Sequence, residues 1–205
     1  MVHSDDDGLV LPPNIAPTQV PIIPIGNDPK VLELSHSLYN QLEENNIRVM
    51  IDETEKSPGF KFAEAEVNGI PVRIEIGTRD LENNNITLAR RDTKAKTTVN
   101  KDTDIVTVVN SLLSDIQDNL YNRALERRNN QTYEAHTLKE VEDIMTNHPG
   151  FVKADWCGSE ERELKMKEIK GTKSRCILED HKLIDGKCIV CGKEAKHLVV
   201  WGIQY

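Results

Sequence analysis

Residues 57–92, SPGFKFAEAEVNGIPVRIEIGTRDLENNNITLARRD, are the stretch around which the fold is organised. The stretch predicts a Pro-Gly turn, a short helix, a second turn at Asn68-Gly69 and two strands that end in an arginine pair. From residue 72 to residue 77, apolar and charged residues alternate, which directs the apolar side chains to a core and Arg73 and Glu75 to the other face. The sequence therefore predicts a half-polar sheet beside a short helix.

The charged face of this stretch has the chemistry of a surface that reads nucleic-acid bases. Phe62 and Glu66 lie four residues apart, so a helix places an aromatic ring and a carboxylate on the same side. Arginine can donate two parallel hydrogen bonds to guanine, a carboxylate can accept hydrogen bonds from base amino groups, and an aromatic ring can stack on an unpaired base. The alternative interpretation is that surface arginines form weak, solvated ion pairs with nearby glutamates and that Phe62 belongs to the core.

The composition is that of an ordinary globular protein without a generally basic surface. The 205 residues are enough for one domain of usual size and a smaller one, with 38% hydrophobic and 29% charged residues. A net charge of −8 argues against indiscriminate phosphate binding, so a nucleic-acid partner has to meet a local basic patch. The residues that supply such a patch are Arg73, Arg79, Arg90, Arg91, Lys94, Lys96 and Lys101.

The sequence predicts a cytoplasmic protein with no membrane partner. No apolar run is long enough to cross a bilayer, and the acidic residues 1–8 lack the basic-then-apolar pattern of a signal peptide. All four cysteines lie in the last third of the chain, and without an export signal they favour metal ligation over disulfides.

The first half of the chain predicts a mixed α/β sheet in the order βαβαββ. Prolines at several positions argue against regular structure over most of residues 1–18. A strand over residues 19–25 leads into a helix that stops near residue 46, and a second strand follows over residues 47–51, ahead of the central stretch. Pro21 predicts an edge position or a bulge for the first strand.

The second half predicts a long amphipathic helix followed by a smaller unit. Apolar residues recur at helical spacing from about residue 103 to the polar run at residues 127–131, and a shorter helix spans about residues 138–145. The remainder, residues 151–205, predicts a strand, a charged helix and two further strands, with a core small enough that a metal ion or docking onto the first domain would help.

The cysteines predict a zinc site whose fourth ligand is uncertain. Cys188 and Cys191 form a Cys-x-x-Cys turn that can present two thiolates to one zinc ion, and Cys157-Gly158 resembles half of a second such turn. Cys176 lies within a predicted strand, where a small buried hydrophobe is the usual role. His181 and His197 are other candidates, and the alternative is a degenerate site with reduced thiols.

Three separated stretches together resemble the C-terminal part of prolyl-tRNA synthetase of the archaeal/eukaryotic-like subtype. They are MVHSDDDGLVLPPNIAPTQV (residues 1–20), the central stretch with LARRDTKAK, and SRCIL…CIVCGKEAKHLVVWGIQY (residues 174–205). The resemblance covers essentially the whole chain. It implies the end of a class II catalytic domain over residues 1–18, a mixed-sheet anticodon-binding domain of class IIa synthetases over residues 19–130, and a small α+β, zinc-binding-like C-terminal domain over residues 131–205.

The resemblance also assigns expected roles to particular residues. It implies that four residues face the anticodon and read the two guanines of proline anticodons: Phe62, Glu66, Arg73 and Arg79. The basic residues expected to hold tRNA phosphates are Arg90, Arg91, Lys94 and Lys96. His3 and Tyr205 fall at the margin of the catalytic domain. The expected metal ligands are Cys157, Cys188, Cys191 and Cys176, although Arg162 replaces a cysteine of the family pattern and Cys176 matches one that is usually not a ligand.

We therefore expect a C-terminal fragment of a proline–tRNA ligase that recognises the anticodon of tRNA(Pro). The resemblance implies that the full enzyme, a homodimer, activates proline with ATP and Mg²⁺ and charges the tRNA, whereas the fragment alone catalyses nothing and does not bind DNA. Two alternatives remain. One is a protein-interaction module with the same fold that has lost RNA binding. The other is a metal or redox module built on the cysteines.

Overall fold

The computed structural model describes residues 3–148 and 150–203, and the chain divides into two compact units, Met1–Asn122 and Arg123–Tyr205. Tyr205 lies outside the described residues. The domain limits expected at residues 18 and 130 stay predictions, and the division between the two units falls inside a long helix. Within the described residues, no helix combines the length and the apolar character that a membrane crossing requires.

The first unit contains the alternation of strands and helices that the sequence predicts, and it adds a hairpin at the start, a short helix and one further strand. A short hairpin of β1 (Ser4–Asp5) and β2 (Gly8–Leu9) comes first. The sheet and its helices follow as β3 (Val20–Ile25), α1 (Pro29–Glu44), β4 (Val49–Ile51), α2 (Pro58–Val67), β5 (Val72–Gly77), α3 (Thr78–Glu82), β6 (Asn85–Arg90), β7 (Lys96–Asn100) and α4 (Ile105–Asn130), the last of which continues past the division.

The five-stranded sheet has the strand order β4-β3-β5-β6-β7. Strands β3, β4 and β5 are parallel, and β6 and β7 are added antiparallel. The crossover from β3 to β4 and the crossover from β4 to β5 run in opposite directions, so right-handed connections place α1 and α2 on opposite faces. The apolar face of the sheet packs with α1 and α4 around Ile22, Ile74, Leu38 and Val109. The other face of β5, with Arg73 and Glu75, is left for α2.

Strand β3 is an interior strand, so the edge position predicted from Pro21 is wrong. The register explains why two prolines are tolerated there. Residues Val20 to Ile22 of β3 pair with β4, whereas residues Ile22 to Ile25 pair with β5. Pro21 therefore lies before the β5 pairing begins and Pro24 lies after the β4 pairing ends, so each proline has a partner strand on one side only.

Local capping explains where α1 and α2 begin. The Asp28 side chain accepts a hydrogen bond from the Lys30 N–H at 2.9 Å, and Pro29 follows as the first helical residue. Ser57 and Pro58 repeat this arrangement at α2, where the Ser57 hydroxyl accepts from the backbone of Phe60. These caps fix the entry of both helices into the fold.

The residues between β2 and β3 contain no further strand or helix, but they are held in place by Arg48. Its Nε donates to the Ala16 carbonyl at 2.8 Å and its Nη2 to the Pro13 carbonyl at 2.7 Å. The expected lack of regular structure is confirmed for most of residues 3–18, and the hairpin β1–β2 is the part that the sequence pattern did not indicate.

The second unit has a four-stranded sheet of order β10-β11-β9-β8. Its elements are β8 (Thr132–Glu134), α5 (Leu138–Asn147), β9 (Phe151–Trp156), α6 (Glu160–Glu168), β10 (Thr172–Ile177) and β11 (His197–Ile203). Its core is small and includes Val141, Met145, Val152 and the fully buried Trp201. Asp155 accepts three backbone N–H groups from residues 184–186 at 2.8–3.0 Å, which fixes the loop ahead of the Cys-x-x-Cys turn.

Asp92 ties the end of β6 to α4. Its carboxylate, 0% exposed, accepts two hydrogen bonds from Arg90 at 3.0 and 2.8 Å and one from Asn119 at 2.6 Å. Burial opposes ionisation, but the hydrogen bonds from Arg90 and Asn119 outweigh it and hold the pKa of Asp92 below its usual value.

We expect Asp92→Ala to lower the free energy of unfolding by about 3 kcal/mol at neutral pH, because it leaves the Arg90 guanidinium without its partner. A depressed carboxyl pKa contributes stability above the pKa of the unfolded chain and loses it as the pH falls through the folded value. The difference in free energy of unfolding between wild type and variant, measured with urea, should therefore shrink in acid.

The control is Asp102→Ala, which changes an exposed loop residue and should alter the free energy of unfolding by less than about 0.5 kcal/mol. Equal effects of both substitutions would contradict the role of Asp92.

Candidate functional site

The polar face of β5 and one side of α2 form a compact cluster of charged groups around an aromatic ring. Phe62 and Glu66 project from consecutive turns of α2, and Arg73 and Glu75 project from β5 beneath them. Lys96, on β7, completes the cluster through an ion pair with Glu75 at 2.9 Å. Helix spacing and strand alternation thus bring together three of the four residues that the sequence predicted to read bases.

Arg73 is committed to partners inside the protein. Its Nε and Nη2 contact the Glu75 carboxylate at 2.9 and 2.8 Å. Its Nη1 donates to the Phe62 carbonyl at 3.2 Å and to the Glu66 carboxylate at 3.1 Å. The Arg73 side chain is only 8% exposed, so its guanidinium holds the cluster together and presents little surface to a ligand.

The Phe62 ring is held by cations. The Arg73 guanidinium carbon lies 4.5 Å from the ring centroid, and the Lys96 Nζ lies 5.3 Å from it. The ring is half-buried, so its orientation is fixed while part of it still meets solvent. Such a ring can serve as a stacking surface without losing side-chain freedom on binding.

Glu66 and Arg79 are two charged residues of the predicted base-reading set that face solvent. The Glu66 side chain is 41% exposed, although one carboxylate oxygen accepts from Arg73. Arg79 lies in α3, directly beyond the carboxyl end of β5, and is exposed. Among the described residues, no hydrogen bond or ion pair engages its side chain, so its fork of donors is free for a ligand.

All four predicted phosphate-binding residues are paired with carboxylates. Arg90 binds Asp92, and Lys96 binds Glu75. Arg91 binds Asp5 at 2.5 Å, and Lys94 pairs with Asp7. The two arginines are largely buried, whereas the ammonium groups of Lys94 and Lys96 are about half exposed. These four basic residues are thus balanced by acids, and of the four only the two lysines remain open to an anion.

The residues predicted for the site did not include the acidic partners, although ion pairs between arginines and nearby glutamates were the alternative interpretation, and Arg73 does form such pairs. Glu75 could have been included, since it shares a strand face with Arg73. Asp5 gave no usable signal, because it meets Arg91 86 residues away. His3, expected at the margin of another domain, is exposed, and its carbonyl accepts from Val10.

Three of the four cysteines form a second candidate site, in the other unit. The sulfur atoms of Cys157, Cys188 and Cys191 all lie within 4.8 Å of one another, with Cys157 and Cys191 3.9 Å apart. Tetrahedral zinc with Zn–S bonds of about 2.3 Å separates its sulfurs by about 3.8 Å, so the three thiols fit a zinc ion. Among the described residues, no fourth ligand joins this group.

Cys176 is not part of this group of sulfurs. It is exposed on β10, where it pairs with Val200 of β11. Two of the clustered thiols have pKa values that are shifted in opposite directions. Burial raises the pKa of the Cys188 thiol, whereas the Lys193 backbone N–H and, to a smaller extent, Arg162 lower the pKa of the Cys191 thiol. Arg162 thus places a positive charge beside the cluster, where the resemblance led us to look for a fourth cysteine.

Two family models match separate parts of the chain. A model described as "Anticodon binding domain" matches residues 19–111, which contain the whole five-stranded sheet. A model described as "Prolyl-tRNA synthetase, C-terminal" matches residues 138–205, which contain the three clustered cysteines.

Curated relatives align over the full chain. A protein named Proline–tRNA ligase from Lachnoclostridium phytofermentans is 48% identical over 100% of this chain. Proteins of the same name from Ruminiclostridium cellulolyticum and Clostridium novyi are 46% and 45% identical over the same extent. The chain spans 43% of the length of each of these relatives.

The two arginines of the candidate site should differ sharply in their effect on stability. Arg73→Ala leaves the buried Glu75 with Lys96 as its remaining ion-pair partner, and we expect it to lower the free energy of unfolding by about 3 kcal/mol. Arg79→Ala removes an exposed side chain and should change it by less than about 0.5 kcal/mol. Urea unfolding followed by circular dichroism measures both. Comparable small effects would contradict the structural role given to Arg73.

Proposed function

The chain belongs to the prolyl-tRNA synthetase family, in which it joins an anticodon-binding domain to the C-terminal domain, and from this premise we propose that it recognises the anticodon of proline tRNA. In this proposal the chain serves a proline–tRNA ligase, a cytoplasmic homodimer. The enzyme would activate proline with ATP and Mg²⁺ and transfer it to tRNA at a different site, which the residues of the candidate site do not form.

The observation that carries the proposal is the cluster of Phe62, Glu66 and Arg73. An aromatic ring fixed by cations stands four residues from a half-exposed carboxylate, on one side of a capped helix. The Watson–Crick edge of guanine presents two neighbouring N–H donors, and a carboxylate is the acceptor that matches them. Phe62 offers the face on which an unpaired base can stack, worth about 1–3 kcal/mol per base.

In this proposal the two arginines have different roles. Arg73 orients Glu66 and Phe62 from below, since all its nitrogen atoms are already engaged. Arg79 is the donor that is free to make a bidentate contact with guanine O6 and N7. We therefore retain both residues in the site, with Arg73 as a positioning residue and Arg79 as a direct contact.

Phosphate contacts fall to the lysines in this proposal. An ammonium group has three donors, so Lys94 and Lys96 can keep their carboxylate partners and still donate to a phosphate oxygen. Arg90 and Arg91 instead serve the structure. With few net positive charges available, binding should depend weakly on salt and strongly on the bases.

A structural zinc ion is the second part of the proposal. The ion would be held by three thiolates, those of Cys157, Cys188 and Cys191. Its fourth ligand would be a group other than the side chains of the described residues. The bound ion would crosslink the loops after β9 and before β11, which adds stability to a unit with a small core.

We expect Glu66→Gln and Arg79→Ala each to reduce anticodon discrimination about tenfold. The measure is the ratio of dissociation constants for a proline tRNA transcript and for the same transcript with its two anticodon guanines replaced, at one salt concentration. A tenfold change corresponds to about 1.4 kcal/mol, within the ~1–3 kcal/mol expected of a good contact to a base. Each variant should weaken binding of the proline tRNA transcript and leave binding of the transcript with replaced guanines nearly unchanged.

Arg127→Ala is the matched control, because it removes an exposed arginine of α4 that has no proposed base contact. It should leave the ratio within twofold. A wild-type chain that binds both transcripts equally would exclude anticodon recognition by this chain and favour the protein-interaction alternative. Equal losses for both transcripts in the Glu66 and Arg79 variants would show that these residues do not read bases.

We expect the purified chain to bind about one Zn²⁺, and Co²⁺ in its place should give the thiolate charge-transfer absorption of a cysteine-rich site. Cys188→Ser should abolish or strongly weaken this binding, and a chelator should lower the melting temperature of the wild type. Cys176→Ser is the control and should bind metal normally, because Cys176 lies outside the sulfur cluster. Four freely titratable thiols and no retained metal would reject the zinc site.

A further inference from the structure

The hairpin β1–β2 packs directly against the last turn of α2, the turn that carries Glu66. Gly8 has φ +133°, and a Cβ there would lie 2.6 Å from the Val67 Cα and 2.7 Å from the Val67 carbonyl oxygen. Gly69 has φ +69°, and a Cβ there would lie 2.6 Å from Leu9. A glycine on each side thus permits backbone-to-backbone approach that no larger residue allows.

Hydrogen bonds fasten this contact. The Leu11 N–H donates to the Gly69 carbonyl at 3.1 Å. Arg91 bridges the same two elements from the end of β6. Its Nε donates to the Glu66 carbonyl at 2.9 Å, and its Nη1 and Nη2 bind the two Asp5 oxygens at 2.7 and 2.5 Å. The Arg91 backbone N–H is itself fixed to the Pro71 carbonyl at 2.9 Å.

The Arg91 side chain is 2% exposed, so its guanidinium is cut off from water and relies on the carboxylate of Asp5, whose side chain is 42% exposed, for its compensating charge. The hydrogen bond from Arg91 holds the pKa of Asp5 well below its usual value, against a smaller opposing effect of burial. Asp5 therefore remains ionised over the whole physiological range. The neighbouring pair of Lys94 and Asp7 is exposed on both sides and adds little to this attachment.

Glu66 is consequently held at both ends. Arg73 binds its carboxylate, and Arg91 binds its backbone carbonyl. We propose that the hairpin β1–β2 is a clamp on the C-terminal turn of α2, in which Arg91, charged opposite Asp5, is a positioning residue for Glu66. Its consequence for RNA rests on the proposed function, because the position of Glu66 matters for discrimination only if Glu66 reads a base.

The test compares Asp5→Asn with Asp6→Asn. Both remove one negative charge from the same hairpin at nearly constant size, but Asp6 is an exposed residue that Arg91 does not contact. Hydrogen exchange of the Asn68 and Gly69 amides, which bond to Glu64 and Glu66 carbonyls, reports the clamp without RNA. We expect Asp5→Asn to accelerate their exchange at least tenfold and Asp6→Asn to change it less than twofold.

The second measurement is the ratio of dissociation constants for the two transcripts described above. Asp5→Asn should lower this ratio three- to tenfold, and Asp6→Asn should leave it unchanged. A structural role alone would lower the melting temperature without changing the ratio, and that result would overturn Arg91 as a positioning residue. Unchanged exchange in Asp5→Asn would overturn the clamp itself. If the wild type shows no discrimination, the proposed function fails, and hydrogen exchange alone then decides the clamp.

Discussion

The donors of a buried guanidinium need hydrogen-bond partners inside the protein. In the first unit, α2 and β5 supply these partners to Arg73. The cost of burying an unpaired charge exceeds the worth of most single contacts, so the positions of its partners are narrowly constrained. Two carboxylates, one carbonyl and one aromatic ring meet this requirement from two elements. Helix α2 therefore cannot shift relative to β5 without exposing an unpaired group, and the side chains it presents are fixed in turn.

Most of the fold could be predicted from local patterns. Residues 72–77 alternate strictly, α1 and α2 begin at capped prolines, and the chain order of strands and helices indicated a mixed sheet. The elements that were missed, namely the hairpin β1–β2, α3, β7 and β8, are short or polar and lack such patterns. Strand β7 is an exposed edge strand whose side chains are nearly all polar, so no buried face marks it, and the hairpin β1–β2 has only two residues on each side. Pro21 was misjudged because single-sided pairing within an interior strand depends on register, which the sequence does not display.

The candidate site was predictable as a set of residues but not as a set of roles. Spacing placed Phe62 and Glu66 on one helical face, and alternation placed Arg73 beneath them. Whether an arginine contacts a ligand or a protein group depends on what the rest of the chain brings to it. Arg91 meets Asp5 across 86 residues, and Lys96 reaches Glu75 from two strands away. Cys176 lies exposed on β10 and outside the sulfur cluster, so the buried role that its position in a predicted strand suggested is wrong.

The carboxylates that pair with the basic residues explain how a chain of net charge −8 could bind a nucleic acid. The four predicted phosphate-binding residues near the cluster are each paired with an acid, so the long-range attraction for phosphates, which is equal for every sequence, is kept small. The exposed groups also include part of the Phe62 ring, the Glu66 carboxylate and the unpaired Arg79 guanidinium, whose interactions depend on the identity of a base. Neutralising the patch gives up affinity for RNA in general and leaves discrimination to short-range contacts. A surface of this kind would reject most RNA by failing to attract it and would accept one loop because its bases fit.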